Sequence, residues 1–386
     1  MRAVIKASPR PGVSITDSPE PSAGPGEVLL RVLAASICGT DIHLYDWNPW
    51  ARARVHLPRI MGHEICGEVI ALGEGAEGRA RVGDRVAVES HLVCHRCPAC
   101  LRGDFHVCAA TRILGVDADG GFAGLVALPA ENVWPVGPEM APAVAAAMEP
   151  FGNAVHACSY GELEGATVAV FGCGPIGCAA VAVAKARGAA RVIAVEPNRY
   201  RLELAGRMGA DALVEAGEGS AEAEVRRAAG GEVDCALEMS GASAAVVAAT
   251  RSVRSGGWVA LLGIGDEPTS LDLSQDVVMR GVTLHGVTGR RLFAPWEEPS
   301  RYLRSGAIDA EALITHRFAM ADIEEAIRLI KSGRCGKVSL QPCLRSRAPP
   351  RPSRHSTGRS PPIWTGSASR ASTTRSASWS PRRGMR

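Results

Sequence analysis

Between Ser36 and Trp47 the sequence SICGTDIHLYDW sets a thiol, a hydroxyl, a carboxylate and an imidazole (Cys38, Thr40, Asp41, His43) close together, directly after the apolar run EVLLRVLAA. Such groups could ligate a metal and move a proton, or they could form an ordinary turn. A later stretch is less ambiguous: CHRCPACLRGDFHVC carries Cys94, Cys97, Cys100 and Cys108 in a C-x2-C-x2-C-x7-C spacing. Zinc takes four ligands at tetrahedral corners, about 2.3 Å from sulfur, and thiolates two residues apart on a turn reach adjacent corners without strain. Four thiolates fill that shell and leave no place for water or substrate, so the lobe reads as structural. An iron–sulfur cluster or free thiols are the alternatives. The bacterial cluster spacing closes with a Pro after its last Cys, which this stretch lacks.

Further donors are scattered. His63 and Glu64 adjoin in GHE, and Glu149 lies in MEPFGNAVH. Taken singly each has a plain explanation, with Cys38 and His63 as packed core residues and Glu149 as a helix cap. Taken together, a mixed Cys, His and carboxylate set leaves zinc an exchangeable position and lets it act as Lewis acid on a bound oxygen.

The segment VAVFGCGPIG ends a strand and opens a helix, with Gly172, Gly174 and Gly177 in G-x-G-x-x-G order. The first Gly makes the turn, the second lets backbone approach a pyrophosphate, and the third permits close helix packing; the helix N-terminus then faces the anion. A second strand, RVIAV, ends at Glu196. A carboxylate there accepts from both ribose hydroxyls and repels a 2′-phosphate, which favours NAD over NADP. Arg201 is the counter-signal, since a guanidinium nearby could hold that phosphate; its plain reading is a solvated helix residue.

These motifs need positioning elements, and the chain supplies two kinds. Up to about Glu149 the sequence is short alternating segments such as EICGEVIAL and GDRVAVES, punctuated by Gly and Pro, which suits antiparallel strands in a compact barrel or sandwich. From Gly161 apolar strand-length runs (TVAVFG, RVIAVE, VDCALEMSG, GWVALLGI) alternate with Ala-rich helical stretches, the pattern of a parallel sheet covered on both faces. Past about Arg291 that pattern stops, and ADIEEAIRLIKSGRCGKVSL reads as a helix closed by Gly333 and followed by a strand.

A chain of 386 residues favours two domains. The start lacks the apolar core of a signal peptide and no window approaches a membrane span, so a cytoplasmic protein is expected. In a reducing compartment the 12 cysteines are poor disulfide candidates. Net charge is +3, but residues 344–386 hold ten Arg and no Lys, Asp or Glu, which leaves −7 for residues 1–343. A mildly acidic body offers no basic face for a phosphate backbone, so no nucleic-acid partner is expected of it. The tail, rich in Arg, Ser and Pro, reads as disordered, and its abrupt start resembles out-of-frame translation. An RNA-binding arm is the competing function class, and the intact ligand set argues against it.

With Cys38, GHE, the four-Cys lobe and the glycine fingerprint in that order, the chain up to about Pro342 resembles the zinc-containing medium-chain alcohol dehydrogenase superfamily. CGTDIHLYDWNPWA, EPFGNAVH, NRYRLELAGRMGA, LEMSGA, GVTGRRLF and ITHRF are most similar to the branch that oxidises L-threonine at its 3-hydroxyl. The resemblance implies an α/β chain: a GroES-like β-barrel catalytic domain over 1–152, completed by 292–343, and a doubly wound Rossmann NAD-binding domain over 153–291. It implies Cys38, His63 and Glu64 as catalytic zinc ligands, Thr40 and His43 as a proton relay, Glu149 beside the metal, and His91 near the substrate. Ile176, Glu196, Arg201, Leu262, Gly263, Ile264, Val287 and Thr288 align with the family's NAD contacts, and two zinc ions and a homotetramer are implied as well. Asp41 is assigned to a turn or buried hydrogen bond, and Cys66, Cys158, Cys173, Cys178 and Cys235 to packing. A polyol or simple secondary alcohol is the alternative substrate.

Overall fold

The computed structural model describes residues 1–342 apart from 218, 266, 294 and 295. The tail over 344–386, and with it the RNA-binding alternative, lies outside the described residues. The alternating N-terminal segments build a seven-stranded sheet in the order Val133–Pro135, Arg85–Val88, Glu64–Leu72, Glu27–Ser36, Lys337–Gln341, Ile314–Ala319, with Leu125–Pro129 also paired to Glu27–Ser36. Its N-terminal members run antiparallel, as the alternation predicts. Along Glu27–Ser36 every second side chain is buried until the last residues, where all are. The strand after Gly333 returns to this sheet: Ser339 pairs with Ser36, which on its other side pairs with Glu64. Antiparallel pairing therefore brings the exit of one strand, where Cys38 begins a helix over Gly39–Asp46, beside the entry of the next, where His63 precedes Glu64–Leu72.

The second sheet has six strands in the order Ala212–Glu215, Arg191–Glu196, Thr167–Phe171, Val233–Glu238, Val253–Leu261, Thr283–Gly286, every neighbour parallel. The chain winds outward from Thr167–Phe171 in one direction and then, from Val233, in the other. Ligands bind at such a switch point, beyond the carboxyl ends of the strands. Gly172 follows Phe171 there with φ +86°, and a Cβ on Gly177 would lie 1.9 Å from the Gly172 carbonyl oxygen, so the turn and the close helix packing both need glycine.

A helix over Pro142–Ala157 joins the halves. It packs on the strands Glu27–Ser36 and Glu64–Leu72 on one side and on the helix Pro175–Ala186 on the other, and nearly all its side chains are buried. Glu149 sits mid-helix, so the capping explanation does not hold for it. Among the described residues no helix is long and apolar enough to cross a membrane.

Candidate active site

The four-cysteine lobe folds around a short helix, Pro98–Leu101, capped by the Cys97 sulfur. The sulfurs of Cys94, Cys97, Cys100 and Cys108 all lie within 4.8 Å of one another. Backbone N–H groups of Cys94 and Ala110 reach the Cys108 sulfur at 3.4 Å, and that of Cys100 reaches Cys97 at 3.5 Å. Amides of Cys100 and Ala109 hold the Cys97 thiol down to about 6, whereas burial and the neighbouring thiols push Cys100 up to about 12. Thiols this close ionise together only around a cation. The donor set and spacing fit a closed tetrahedral zinc.

Cys38, His63 and Glu64 form a second group with donor atoms within 4.8 Å. Gly62 turns the chain at φ +90° ahead of His63, and a Cβ there would overlap the Phe122 ring at 2.1 Å. Glu64 is fully buried; it accepts from Ser36 Oγ and, at 2.5 Å, from Lys337 Nζ, which also donates to the Ile37 carbonyl at 3.0 Å. Burial pulls His63 down, but the charges of Cys38, Asp41 and Glu149 outweigh it and push the imidazole up to about 10. Asp41 accepts the Cys38 N–H at 2.9 Å, the buried hydrogen bond assigned to it. Its other oxygen stands 4.0 Å from His63 Nδ1, and neither atom has a hydrogen-bond partner. A carboxylate behind a histidine orients the ring and makes it a better ligand. A thiol, an imidazole and a carboxylate on one spot, with the second imidazole nitrogen backed by a buried carboxylate, fit a divalent cation with an open position.

A third cluster neighbours this group, the charges of Glu149 and His63 acting on each other. Arg290 is 1 % exposed. It donates to Glu89 at 2.8 Å through Nε and again through Nη2, to Glu149 at 2.7 Å through Nη1, and reaches Ser90 Oγ at 3.2 Å and His91 Nδ1 at 3.4 Å. Ser90 Oγ lies 3.0 Å from Glu149. Burial would raise Glu149, but Arg290 first, then His63, His91 and Lys337, hold it down to about 2. Thr40 and His43 occupy one face of the helix begun at Cys38, three residues apart, and the Cys38 sulfur lies 3.9 Å from Thr40 Oγ1.

At the switch point a groove of about 990 Å³ is lined by Gly172, Gly174, Glu196 and Arg201 among others. Glu196 already accepts the N–H groups of Cys173 at 2.7 Å and Asn198 at 3.0 Å, which fixes its carboxylate at the strand end. Ile176 and Gly177 lie in the helix that opens there, Leu262, Gly263 and Ile264 follow the strand Val253–Leu261, and Val287 and Thr288 follow Thr283–Gly286. All of them thus sit at the carboxyl edge, although they do not line the groove. Ile264 is 95 % exposed, so core packing does not account for it. Cys66, Cys158, Cys173, Cys178 and Cys235 are buried.

Sequence reasoning missed Glu89, Ser90, Arg290 and Lys337. The available signals were slight: a Lys opening the apolar strand KVSL, and a doubled Arg behind GVTG.

With this geometry in hand, comparison with known proteins is specific. Residues 24–138 match the family model of the alcohol dehydrogenase GroES-like domain, and 175–304 match that of zinc-binding dehydrogenase. An L-threonine 3-dehydrogenase of Bacillus licheniformis is 44 % identical over 343 residues, covering 89 % of this chain and 99 % of that one. An alcohol dehydrogenase of Escherichia coli CFT073 complexed with NADH superposes with a TM-score of 0.81 at 30 % identity, over 88 % of this chain and 99 % of its own. The 2R,3R-butanediol dehydrogenase of Bacillus subtilis gives 0.79 at 28 % identity, over 88 % and 99 %.

Proposed function

The chain belongs to the zinc-binding dehydrogenase family, and from that premise we propose that it oxidises the 3-hydroxyl of L-threonine to 2-amino-3-oxobutyrate with NAD as hydride acceptor. The observation that carries this reading is the convergence of Cys38, His63 and Glu64, beside a Thr40–His43 face and the buried Glu149, in a chain of which 89 % aligns with a threonine dehydrogenase. Cys38, His63 and Glu64 would hold a catalytic zinc, and Cys94, Cys97, Cys100 and Cys108 a structural one. Bound there, zinc supplies Lewis acidity toward the hydroxyl, and the nicotinamide takes the hydride.

The chain's own residues do the rest. Thr40 accepts the hydroxyl proton and passes it toward His43, whose side chain is exposed and can release it to water. Glu149 and His91, held by Arg290 and Ser90, give the substrate pocket fixed polar groups whose rotamers are locked by burial. Glu196, pinned by two amides, favours ribose hydroxyls over a 2′-phosphate. Hydride cannot be relayed, so substrate carbon and nicotinamide must come into near contact. The loop carrying Val287, Thr288 and Arg290 supports that requirement, because Arg290 ties it to Glu89 and Glu149.

The test is a spectrophotometric assay of the purified protein with L-threonine, sorbitol and 2,3-butanediol, each with NAD and NADP, together with metal analysis. Threonine with NAD should give the highest kcat/KM, with two zinc ions per chain. A higher value for either competing alcohol overturns the substrate assignment in favour of a polyol or secondary-alcohol dehydrogenase, the reading that the butanediol dehydrogenase likeness supports. Assembly as a homotetramer belongs to the same proposal and is checked by light scattering.

A further inference from the structure

Asn48 stands between the helix that carries Thr40 and His43 and the next one, Pro49–Arg54, and both ends of its amide are engaged. Its Oδ1 caps the second helix by accepting the Ala51 N–H at 3.0 Å. Its Nδ2 lies 2.9 Å from His43 Nδ1. A backbone N–H can only donate, so the atom facing Ala51 is the oxygen and the atom facing His43 is the NH2 group. An amide NH2 can also only donate, so His43 Nδ1 must accept. In a neutral imidazole one nitrogen accepts and the other bears hydrogen, so the His43 proton sits on Nε2.

Surrounding groups leave this arrangement to Asn48. Trp50 packs obliquely on the His43 ring with centroids 6.1 Å apart, which limits its rotation, and Arg54 lies over the Trp50 ring at 5.7 Å while pairing with Asp117. On the helix of His43, Asp46 pairs with Lys331 and Tyr45 donates to Glu324, both on the C-terminal helix Ile323–Lys331. Arg52 donates to the Trp47 carbonyl.

We infer that Asn48 is a positioning residue that fixes the tautomer of His43 and so sets the direction of proton exit, an inference that rests on the reading of His43 as a relay. Neutral His43 has its only lone pair at Nδ1, under the Asn48 N–H. An incoming proton forms the Nδ1–H bond only as that hydrogen bond gives way, while the Nε2–H bond breaks and its proton leaves to water. The ring is then left with Nδ1–H opposed to the Asn48 N–H, two donors face to face. Exchange with water returns it to the Nε2–H form. Asn48 thereby acts as a latch that opens once per turnover and resets the relay.

The experiment is 15N NMR of the full-length protein labelled at histidine, with His43→Ala for assignment, alongside kcat against pH for threonine oxidation. Asn48→Asp keeps the helix cap but replaces the donor by an acceptor, and Asn48→Ser keeps the cap while being too short to reach the ring. In the parent, neutral His43 should show a pyridine-type Nδ1 and a pyrrole-type Nε2; Asn48→Asp should reverse the two, and Asn48→Ser should give a mixture. The carboxylate of Asn48→Asp should also move the acid limb of the kcat profile upward by about one pH unit. A pyrrole-type Nδ1 in the parent, or no difference between the parent and Asn48→Asp, overturns the inference. A reversed tautomer with an acid limb that neither Asn48→Asp nor His43→Ala moves supports the tautomer assignment and overturns the relay reading instead.

Discussion

Replacing Lys337 by Met isolates the buried ion pair at the second donor group. Lys337 is 3 % exposed and Glu64 is 0 %, and among the described residues the ammonium is the one cation paired with Glu64, at 2.5 Å, while also capping the Ile37 carbonyl. Burial disfavours the ammonium, yet Glu64, Cys38 and Glu149 outweigh this and raise its pKa. Met preserves the length and apolar stem, so the change removes charge and hydrogen bonds with little loss of packing. Breaking one partner out of a buried pair costs about 3–5 kcal/mol, because the remaining charge stays desolvated. Scaled over residues 1–342, an unfolding entropy of ~2.1 cal/mol/K per residue amounts to roughly 0.7 kcal/mol/K, so the midpoint should fall by ~4–7 °C. Differential scanning calorimetry of the parent, Lys337→Met and Lys337→Met/Glu64→Gln reads this directly. The double variant should recover most of the loss, since a neutral amide no longer needs the ammonium. Destabilisation by Lys337→Met should also be smaller in zinc-loaded than in chelated protein, where an ion at Cys38, His63 and Glu64 takes over the compensation. A fall below ~1 °C, or a double variant no better than the single one, refutes the reasoning that Lys337 holds Glu64 as a buried anion.

Other expectations follow from the same network. Glu149 is held near 2 against an ordinary value of 4.5, so its ionised form stabilises the fold fully above pH 4.5 and that contribution is lost as the pH falls toward 2. Glu149→Gln should accordingly be less stable than the parent at neutral pH and converge with it in urea titrations toward pH 2; a constant offset at all pH values would count against the depressed carboxylate. Asp41→Asn removes the carboxylate behind His63 and should weaken zinc at that position by about 10–100-fold in chelator competition, whereas equal retention would leave Asp41 with no part beyond the Cys38 hydrogen bond. Because the metal-free His63 is pushed up to about 10, zinc binding at pH 8 should displace its proton, visible as a buffer-dependent binding enthalpy that His63→Ala reduces. Glu196→Ser should lower kcat/KM for NAD by about 10–100-fold through lost charged hydrogen bonds to the ribose while improving use of NADP; an unchanged NAD preference would reassign Glu196 to bracing the Cys173 and Asn198 amides.

What could be read from the sequence was local in origin. The glycine turn, its strand, its helix and the terminal Glu196 lie within one winding unit, and the four cysteines lie within one loop, so spacing alone places them. Cys38 and His63 are separate in the chain, and neither spacing nor periodicity joins them; antiparallel pairing of Ser36 with Glu64 does. Arg290 could not be found in this way, since it meets Glu89 across 201 positions and no local spacing sets it apart from Arg291 beside it. Lys337 opens a strand that the sequence predicts, but only the pairing of that strand with Glu27–Ser36 puts it inside the first sheet. Long-range charge pairing leaves no periodic trace, because one residue at each end suffices.

That pairing bears on which alcohol is oxidised. Asp41, Glu64, Glu89, Glu149 and the sulfur of Cys38, which ligates only as thiolate, surround the site, and Lys337 and Arg290 are the permanent cations in contact with them. Among the described residues negative charge therefore exceeds positive by three when Asp41 is ionised, which a divalent cation and one ammonium group would balance; burial opposes that ionisation by raising Asp41, and the two added cations would restore it. A neutral polyol brings no such charge, whereas threonine brings an ammonium next to its reacting carbon. Two truncated substrates separate the contributions: 1-amino-2-propanol keeps the ammonium and lacks the carboxylate, and 3-hydroxybutyrate does the reverse. A charged hydrogen bond in a buried site is worth about 1.5–3 kcal/mol, so the amino alcohol should exceed the hydroxy acid in kcat/KM by roughly 10–150-fold. If 3-hydroxybutyrate is the better substrate, the charge excess does not select the substrate, and the recognition of threonine must come from a cation elsewhere in the cleft.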